Sequence, residues 1–413
     1  MKIIYNVAIN LLSAIISFLS LFNRKAKLRT IGTKKAIEFI KLNAENFKNP
    51  IWFHASSVGE FEQAKPLIIK IRELQPNQQI LVTFFSSSGF EANKNYKLAD
   101  YILYLPDDTK ANANLFIKTV KPKTAIFIKY EFWFNYLNVL RTNQIPTFSV
   151  SAIFRENHFV FKPYASFIRN ELTKLEAIFV QNTESLELLK QHNFTNAILS
   201  GDTRFDRVAE IANSNPGIIE IADFCDNKEV VVFGSVWAKD MELIIPFINN
   251  YASEKVKYII VPHEIHSAEI SEYITKLQAK TIRYSNITEY SNEKILIIDT
   301  IGLLSKVYKY AKLAYIGGGF GTGIHNILEA AVYGVPILFG PKYKKFKEAT
   351  DLTTLQGAIA ISDYTMLEKT AKAFLENETF HHKTKTICAN YVTENLGAGA
   401  IIMGNSKFSA AIR

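Results

Sequence analysis

Two series of short apolar runs, each alternating with amphipathic stretches, constrain the fold of this chain more than any other feature. The first series occupies residues 51–56, 80–86, 124–129, 147–153, 177–181 and 197–201. The second occupies 229–235, 257–263, 294–299, 313–319, 336–341 and 357–361. Runs that are apolar at consecutive positions suit strands buried on both faces, and alternation with helices makes such strands parallel. Between the series lies a loose stretch, 209–228, containing Asn213, Ser214, Asn215, Pro216 and Gly217. The pattern predicts an α/β chain of two doubly wound, Rossmann-like domains, 31–208 and 229–395, with 209–228 as linker and 396–413 as a tail. Ligands of such sheets bind beyond the carboxyl ends of the strands, so the chemistry is expected there, in a cleft between two facing domains.

The 413 residues are enough for two domains. The formal charge is +9, and residues 1–50 hold nine basic residues against two glutamates. Residues 3–22 carry no charge and are followed by Arg24, Lys25, Lys27 and Arg29. A membrane span needs roughly 20 mostly apolar residues. Residues 1–30 therefore read as an N-terminal membrane anchor with a basic flank, preferred over an in-plane amphipathic helix and over a buried core helix. The basic flank favours the cytoplasmic side and attracts anionic lipid. A cleaved signal peptide fits worst, because the charges follow the apolar run. Nucleic acid is not the expected partner: the basic residues flank an apolar segment, and the run Lys342–Lys347 reads as a solvated loop. The two cysteines, Cys225 and Cys388, form no metal-ligand spacing and no CxxC pair, so they point to neither a metal site nor a disulfide framework.

Several motifs share one position, the end of a predicted strand. His54-Ala55-Ser56-Ser57-Val58-Gly59-Glu60 combines turn and cap residues with a carboxylate in the first helical turn. Backbone N–H groups there suit an anion, and Glu60 is either a base or a partner of the helix dipole. Lys129-Tyr130-Glu131-Phe132-Trp133 and Gly201-Asp202-Thr203-Arg204-Phe205-Asp206 also follow strands. Arg204 can hold a phosphate by two parallel bonds or pair with Asp202 or Asp206. Pro262-His263-Glu264 ends another strand. The glycine-rich stretch Gly317 to Gly323, followed by Asn326-Ile327-Leu328-Glu329, precedes a predicted helix whose start offers N–H donors to phosphate, with Asn326 as an alternative cap. It is neither a Walker loop nor a GxGxxG dinucleotide loop.

Taken together these motifs resemble the 3-deoxy-D-manno-octulosonic acid (Kdo) transferases, glycosyltransferase family 30. HASSVGE resembles that family's strand-end motif with the catalytic Glu, and GDTRFD its Gly-Asn/Ser-x-Lys-Phe-Asp motif. DTIG at 299–302 and GGG to HNILEAAVYGVPILFGP at 317–341 resemble its nucleotide-binding half. The resemblance runs from about residue 1 to residue 395. It implies the GT-B fold, CMP-Kdo as donor, a phosphorylated lipid A precursor as acceptor, and the cytoplasmic side of the inner membrane as location. It further implies Glu60 as general base, with Glu131 and Arg204, and with Lys129 as a further candidate, stabilising the transition state. CMP contacts then fall on Pro262, His263, Ile301, Gly302, Leu303, Asn326, Ile327, Leu328 and Glu329, and acceptor or anion contacts on Ser56, Ser57 and Gly59. Several positions depart from the family pattern, among them Pro262, where the family has Arg, and Ile301, where it has Met. Lys129 stands where the family has Glu, Arg204 where it has Lys, and Leu303 where it has Glu. A GT-B transferase using a UDP-sugar and a nucleotide-binding assembly scaffold remain the alternative readings.

Overall fold

The structure, a computed structural model, describes the whole chain apart from residues 252, 288 and 291. The chain divides into two compact units. The first is Met1–Arg207 together with Leu396–Arg413, and the second is Val208–Asn395.

Seven parallel strands form the sheet of the first unit: β1 (Ile51–Ala55), β2 (Ile80–Phe84), β3 (Tyr101–Tyr104), β4 (Thr124–Ile128), β5 (Thr147–Ala152), β6 (Ala177–Val180) and β7 (Ala197–Leu199). Their order is β3-β2-β1-β4-β5-β6-β7. The direction of winding reverses between β1 and β4, which opens a crevice at their carboxyl ends. β1 shows why the run is apolar throughout. Ile51, Phe53 and Ala55 join one core with Phe61, Leu67 and Ile71, whereas Trp52 joins the core on the other face with Phe116, Phe127 and Tyr136.

The second unit repeats the plan with β8 (Glu229–Val236), β9 (Val256–Pro262), β10 (Thr281–Arg283), β11 (Ile295–Ile297), β12 (Leu313–Ile316), β13 (Ile337–Phe339) and β14 (Ala358–Ala360). The order is β10-β11-β9-β8-β12-β13-β14, parallel throughout, with the reversal between β8 and β12. All twelve predicted runs form strands. The two strands absent from the sequence prediction, β3 and β10, both lie at a sheet edge and are mostly half-buried. An edge strand needs no apolar run on both faces, so the signal that marks the others is missing there.

Two segments differ from the sequence-based division. Residues 209–228 are not an extended linker but part of the second unit. They carry the helix Ile219–Cys225, and the Asn215 amide donates to Lys306 O (3.1 Å) and to Tyr333 Oη (3.0 Å). Residues 396–413 are not a free tail. They form helices Ala398–Gly404 and Ser406–Ile412 on the first unit. Phe408 packs edge-on against Phe148 at 5.0 Å, and Asp206 accepts the Gly397 and Gly399 N–H groups, both at 2.7 Å. The apolar positions Ile402, Phe408 and Ile412 find their core only by long-range return.

Helix α1 (Lys2–Leu19) and helix α2 (Arg24–Leu42) precede the first sheet. α1 is the one described helix long and apolar enough to cross a membrane. It is not a buried core helix, because only Ile9 is buried. It is nevertheless fastened along one side. Tyr5 Oη donates to Asp108 (2.6 Å), Ser13 Oγ to Asp107 (2.6 Å), and Asn135 Nδ2 to Asn6 Oδ1 (2.8 Å). Residues 5, 6, 9 and 13 share one helical face, while Ile3, Ile4, Val7, Leu11, Ile15 and Phe18 remain exposed. Helix α3 (Val58–Leu74) follows β1, and the short α4 (Ser87–Asn93) follows β2.

The return of the C-terminus has a measurable cost when broken. Phe408→Ala removes a fully buried ring and is expected to destabilise the first unit by about 3–5 kcal/mol, read by chemical denaturation.

Candidate active site

β1 ends at Ala55, and Ser57 is the N-cap of α3. Glu60 is the third residue of that helix and is 7% exposed. Its Oε2 accepts both the Ser56 N–H (2.6 Å) and the Ser57 N–H (3.0 Å). Glu60 thus does cap its own helix start, as a capping box requires. This alters the expectation for Ser56 and Ser57, whose N–H groups are committed to Glu60 rather than left for an anion. The helix geometry still leaves the Val58 and Gly59 N–H groups without intrahelical acceptors. A side chain at Gly59 would meet nothing within 4 Å, so the approach there is open. Both hydrogen bonds fall on one carboxylate oxygen, and among the described residues Oε1 accepts none.

The electrostatics of Glu60 are unusual for a capping residue. Burial, followed by the like charge of Glu131, pushes its carboxyl up to about 7. Lys129 and the two N–H bonds pull the other way but do not win. A buried carboxylate that titrates near neutrality can take a proton from a bound hydroxyl and later release it.

Glu131 and Lys129 come from the end of β4, the neighbour of β1 across the switch point. Lys129 sits in the left-handed backbone region at φ 60°, a conformation that side chains other than glycine adopt at a cost of order 1–3 kcal/mol. Its backbone is fixed by β5, with Lys129 N–H donating to Val150 O and Ser149 Oγ donating to Lys129 O, both at 2.8 Å. The kink aims the loop Tyr130–Trp133 back over the strand ends. Trp133 Nε1–H then donates to His54 Nε2 (3.2 Å). An indole only donates, so His54 accepts at Nε2 and carries its proton on Nδ1, which faces Thr83 Oγ1 (2.9 Å) and Thr83 O (3.1 Å). Glu131 Oε2 lies 3.8 Å from His54 Nε2. Because Nε2 carries no proton and accepts from Trp133, His54 packs beside Glu131 without a hydrogen bond to it. Trp133 also stacks on Phe85, whose other contact is the Arg29 guanidinium 3.8 Å from the ring centroid. Phe85 was not named from the sequence, and His54, Trp133 and Arg29 entered only as members of motifs or of the basic flank, because their pairing crosses four separate elements.

Arg204 pairs with Asp202, Nε and Nη2 both reaching Oδ2 at 2.8 and 2.7 Å. Asp202 also accepts from Gln63 Nε2 (2.9 Å), which lies on α3 one turn beyond Glu60. The carboxyl of Asp202 is held below its usual range by Arg204 against a desolvation that would raise it. Asp206, the other candidate partner, serves the C-terminal return instead.

In the second unit His263 follows β9, the 301–303 turn follows β11 and residues 326–329 follow β12. His263 Nδ1 lies 2.9 Å from Ser235 Oγ. Trp237 stacks on His263 at 4.1 Å and donates through Nε1 to His325 Nε2 at 3.2 Å. His263 and His325 lie 4.3 Å apart. Burial, reinforced by His263, pushes His325 down to about 4, and burial lowers His263 as well. These rings therefore offer stacking and neutral hydrogen bonds at pH 7. Trp237 and His325 were missed by the sequence reading, which treated His263 as a lone ring.

The glycine-rich loop is shaped by backbone packing. A Cβ at Gly317 would lie 2.2 Å from Ser235 O, and one at Gly319 2.5 Å from Gly340 N. Buried Asp240 accepts the Gly318 N–H and the Trp237 N–H, both at 2.9 Å, tying the loop to the end of β8. The helix expected after the loop is a single turn, Leu328–Ala331. Asn326 Oδ1 caps Leu328 N–H at 3.2 Å, and Asn326 Nδ2 reaches Glu329 Oε1 at 3.3 Å. Lys342 Nζ donates to Gly321 O at 2.8 Å, which places one cation of the 342–347 run on the loop. Ile301, Gly302 and Leu303 form an exposed to half-buried turn after β11, with Ile301 89% exposed.

Comparison with known proteins agrees with this geometry. Residues 26–207 match the family model described as 3-Deoxy-D-manno-octulosonic-acid transferase (kdotransferase). That match ends where the first unit ends. The 3-deoxy-D-manno-octulosonic acid transferase of Rickettsia felis is 29% identical over 313 residues, 74% of this chain and 67% of that protein. The protein of the same name from Aquifex aeolicus is 26% identical over 326 residues, 78% of this chain and 84% of that protein. Among solved structures, UDP-GlcNAc 2-epimerase from Neisseria meningitidis matches with a TM-score of 0.60 at 15% identity, covering 86% of this chain and 98% of that one. At that identity the likeness is one of fold.

The carboxylate pair can be tested without any substrate. A carbon-13 NMR titration of the Glu60 carboxyl should give a midpoint at about 7. Glu131→Gln removes a like charge and should move the midpoint down; Lys129→Met removes an opposite charge and should move it up. An ordinary midpoint in all three proteins would show that the two carboxylates do not interact.

Proposed function

Because the chain belongs to the Kdo transferase family of glycosyltransferases, we propose that it transfers Kdo from CMP-Kdo to a primary hydroxyl of a phosphorylated, acylated glucosamine disaccharide of the lipid A precursor type. The single observation that carries the mechanism is Glu60, with one oxygen tied to Ser56 and Ser57, the other free, and a carboxyl that titrates near neutrality.

The reaction is one inverting displacement. Glu60 Oε1 takes the proton of the acceptor hydroxyl as that oxygen forms its bond to the anomeric carbon. The bond from the anomeric carbon to phosphate breaks, and CMP leaves with the electron pair. Arg204, oriented by Asp202, stabilises the growing negative charge, and Glu131 keeps Glu60 basic enough to act at pH 7. Lys129, from the same loop, offers a cation to the acid sugar or to a phosphate. Val58 and Gly59 supply N–H donors where Ser56 and Ser57 do not. CMP lies against His263, the 301–303 turn and residues 326–329, with the Trp237 and His325 rings as additional walls. No cofactor or metal has a part in this scheme.

α1 fits a helix lying in the plane of the cytoplasmic membrane surface better than one crossing it. Tyr5, Asn6 and Ser13 are spent on Asp108, Asn135 and Asp107 along one side, and its apolar side chains Ile3, Ile4, Val7, Leu11, Ile15 and Phe18 are exposed. The cations at 24, 25 and 27 flank it and suit anionic lipid.

Mass spectrometry of the lipid after incubation with CMP-Kdo and acceptor should show addition of Kdo. Glu60→Gln should lower the rate by roughly 10²–10⁴-fold, the usual contribution of a general base, and leave protection from heat by CMP intact. CMP should protect where UDP does not. Near-normal turnover by Glu60→Gln removes Glu60 from the role of base, and protection by UDP alone removes the CMP-Kdo donor.

A further inference from the structure

Helix α2, helix α4 and the edge strand β3 enclose an open groove of about 330 Å³. That volume falls in the range of small-ligand sites, roughly 300–1,000 Å³. Its walls are Leu28, Ile31 and Phe39 of α2, Phe90 of α4, and Leu103 and Tyr104 of β3. The Tyr104 ring forms the floor, stacked on Phe90 with centroids 4.2 Å apart. It rests directly on the α2 backbone at Gly32, where a Cβ would lie 2.3 Å from the ring. Glycine inside a helix is unfavourable, so its presence here has a packing reason: it lets the floor of the groove sink against the helix.

Three observations say what fits this groove. First, its α2 wall is the next element after an exposed apolar helix. α2 is joined to α1 by the short turn 20–23, and α1 turns its apolar side chains outward. Second, its mouth is cationic. Glu91 at the rim is paired with Lys94 (2.7 Å), whereas Lys35 at the same rim has no ion-pair partner among the described residues. Third, it leads to the base. The N-cap of α4, Ser86, donates its N–H to Ser56 O at 2.9 Å, and a Cβ at Gly89 would lie 3.3 Å from the Ser57 backbone. α4 is seven residues long, or about 10 Å. It therefore has one end on the strand terminus that carries Glu60 and its side chains Phe90 and Glu91 in the groove.

We propose that this groove holds one acyl chain of the lipid acceptor, drawing the acceptor hydroxyl toward Glu60 and making transfer depend on acylation. The proposal rests on the reading of the acceptor as a phosphorylated, acylated disaccharide. A narrow apolar trough with a lone cation at its mouth matches a hydrocarbon chain below an anionic headgroup. A flat protein partner or a second copy of the chain would need a broader face.

The test uses the full chain and two soluble acceptors in detergent: the acylated disaccharide phosphate, and the same compound with its acyl chains removed. Ile31 is 43% exposed on the groove wall, so Ile31→Glu changes the wall without emptying the core. Ile31→Trp fills the trough instead. Both variants should raise KM for the acylated acceptor by roughly tenfold, the scale of apolar-pocket discrimination, and leave kcat/KM for the deacylated acceptor unchanged. Binding to vesicles of phosphatidylethanolamine and phosphatidylglycerol should also be unchanged. Equal effects on both acceptors, or no effect on either, overturn the groove while transfer by the unsubstituted protein upholds the underlying reading. A matching loss of vesicle binding overturns it in favour of a surface that faces the bilayer. A dimer that both variants dissolve overturns it in favour of a second copy. Failure of the unsubstituted protein to use either acceptor overturns the transfer reading itself.

Discussion

Two carboxylates placed at adjacent strand ends in a buried setting are the constraint around which the first unit is organised. Glu60 caps its helix start through the Ser56 and Ser57 N–H groups, yet burial, the larger cause, already pushes its carboxyl up. Glu131 adds to that. Its charge, added to the desolvation of Glu60, outweighs the N–H donors and the Lys129 cation. The surrounding structure keeps Glu131 from escaping the repulsion. The left-handed residue Lys129 turns the loop inward, Trp133 locks His54 into one tautomer, and His54 sits against Glu131 without neutralising it. The Glu60 carboxyl is thereby pushed up to about 7, as the proposed base requires.

That arrangement follows from the winding of the sheet. The reversal between β1 and β4 brings residues some seventy positions apart in sequence onto neighbouring strand ends. The second unit uses the same device at the β8–β12 reversal, with different chemistry. There the strand ends carry Trp237, His263 and His325, uncharged rings in mutual contact, and a glycine loop pinned by Asp240. The first unit concentrates charge and the second supplies stacking and neutral hydrogen bonds.

How much of this was legible in the sequence differs by feature. Twelve of the fourteen strands and both reversals depended on apolar runs that read directly, and only β3 and β10, each at a sheet edge, escaped. The return of residues 396–413 escaped because its partners, Phe148 and Asp206, lie about 190 or more residues away. Glu60 was visible as a strand-end carboxylate, but its perturbation was not, since that needs the neighbour from β4. Arg204 could have paired with Asp202 or Asp206, and only the fold distinguishes them: Asp202 takes the arginine while Asp206 holds the C-terminus. The expectation that Ser56 and Ser57 offer free N–H groups failed for the same reason that Glu60 is well placed, because the carboxylate itself consumes them. The apolar character of the N-terminal helix was legible in the sequence. Its orientation was not, because that depends on Tyr5, Asn6 and Ser13 finding partners on the body of the unit.

The central claim, that Glu60 is a base tuned by Glu131, is tested most directly by the pH dependence of kcat/KM for Kdo transfer. The account predicts an acid limb with a midpoint at about pH 7, activity rising as Glu60 loses its proton. It further predicts that the limb moves to lower pH in Glu131→Gln, where the like charge is gone. A limb that stays near pH 7 in that variant, or a rate independent of pH between 5 and 8 in the unsubstituted protein, would contradict it.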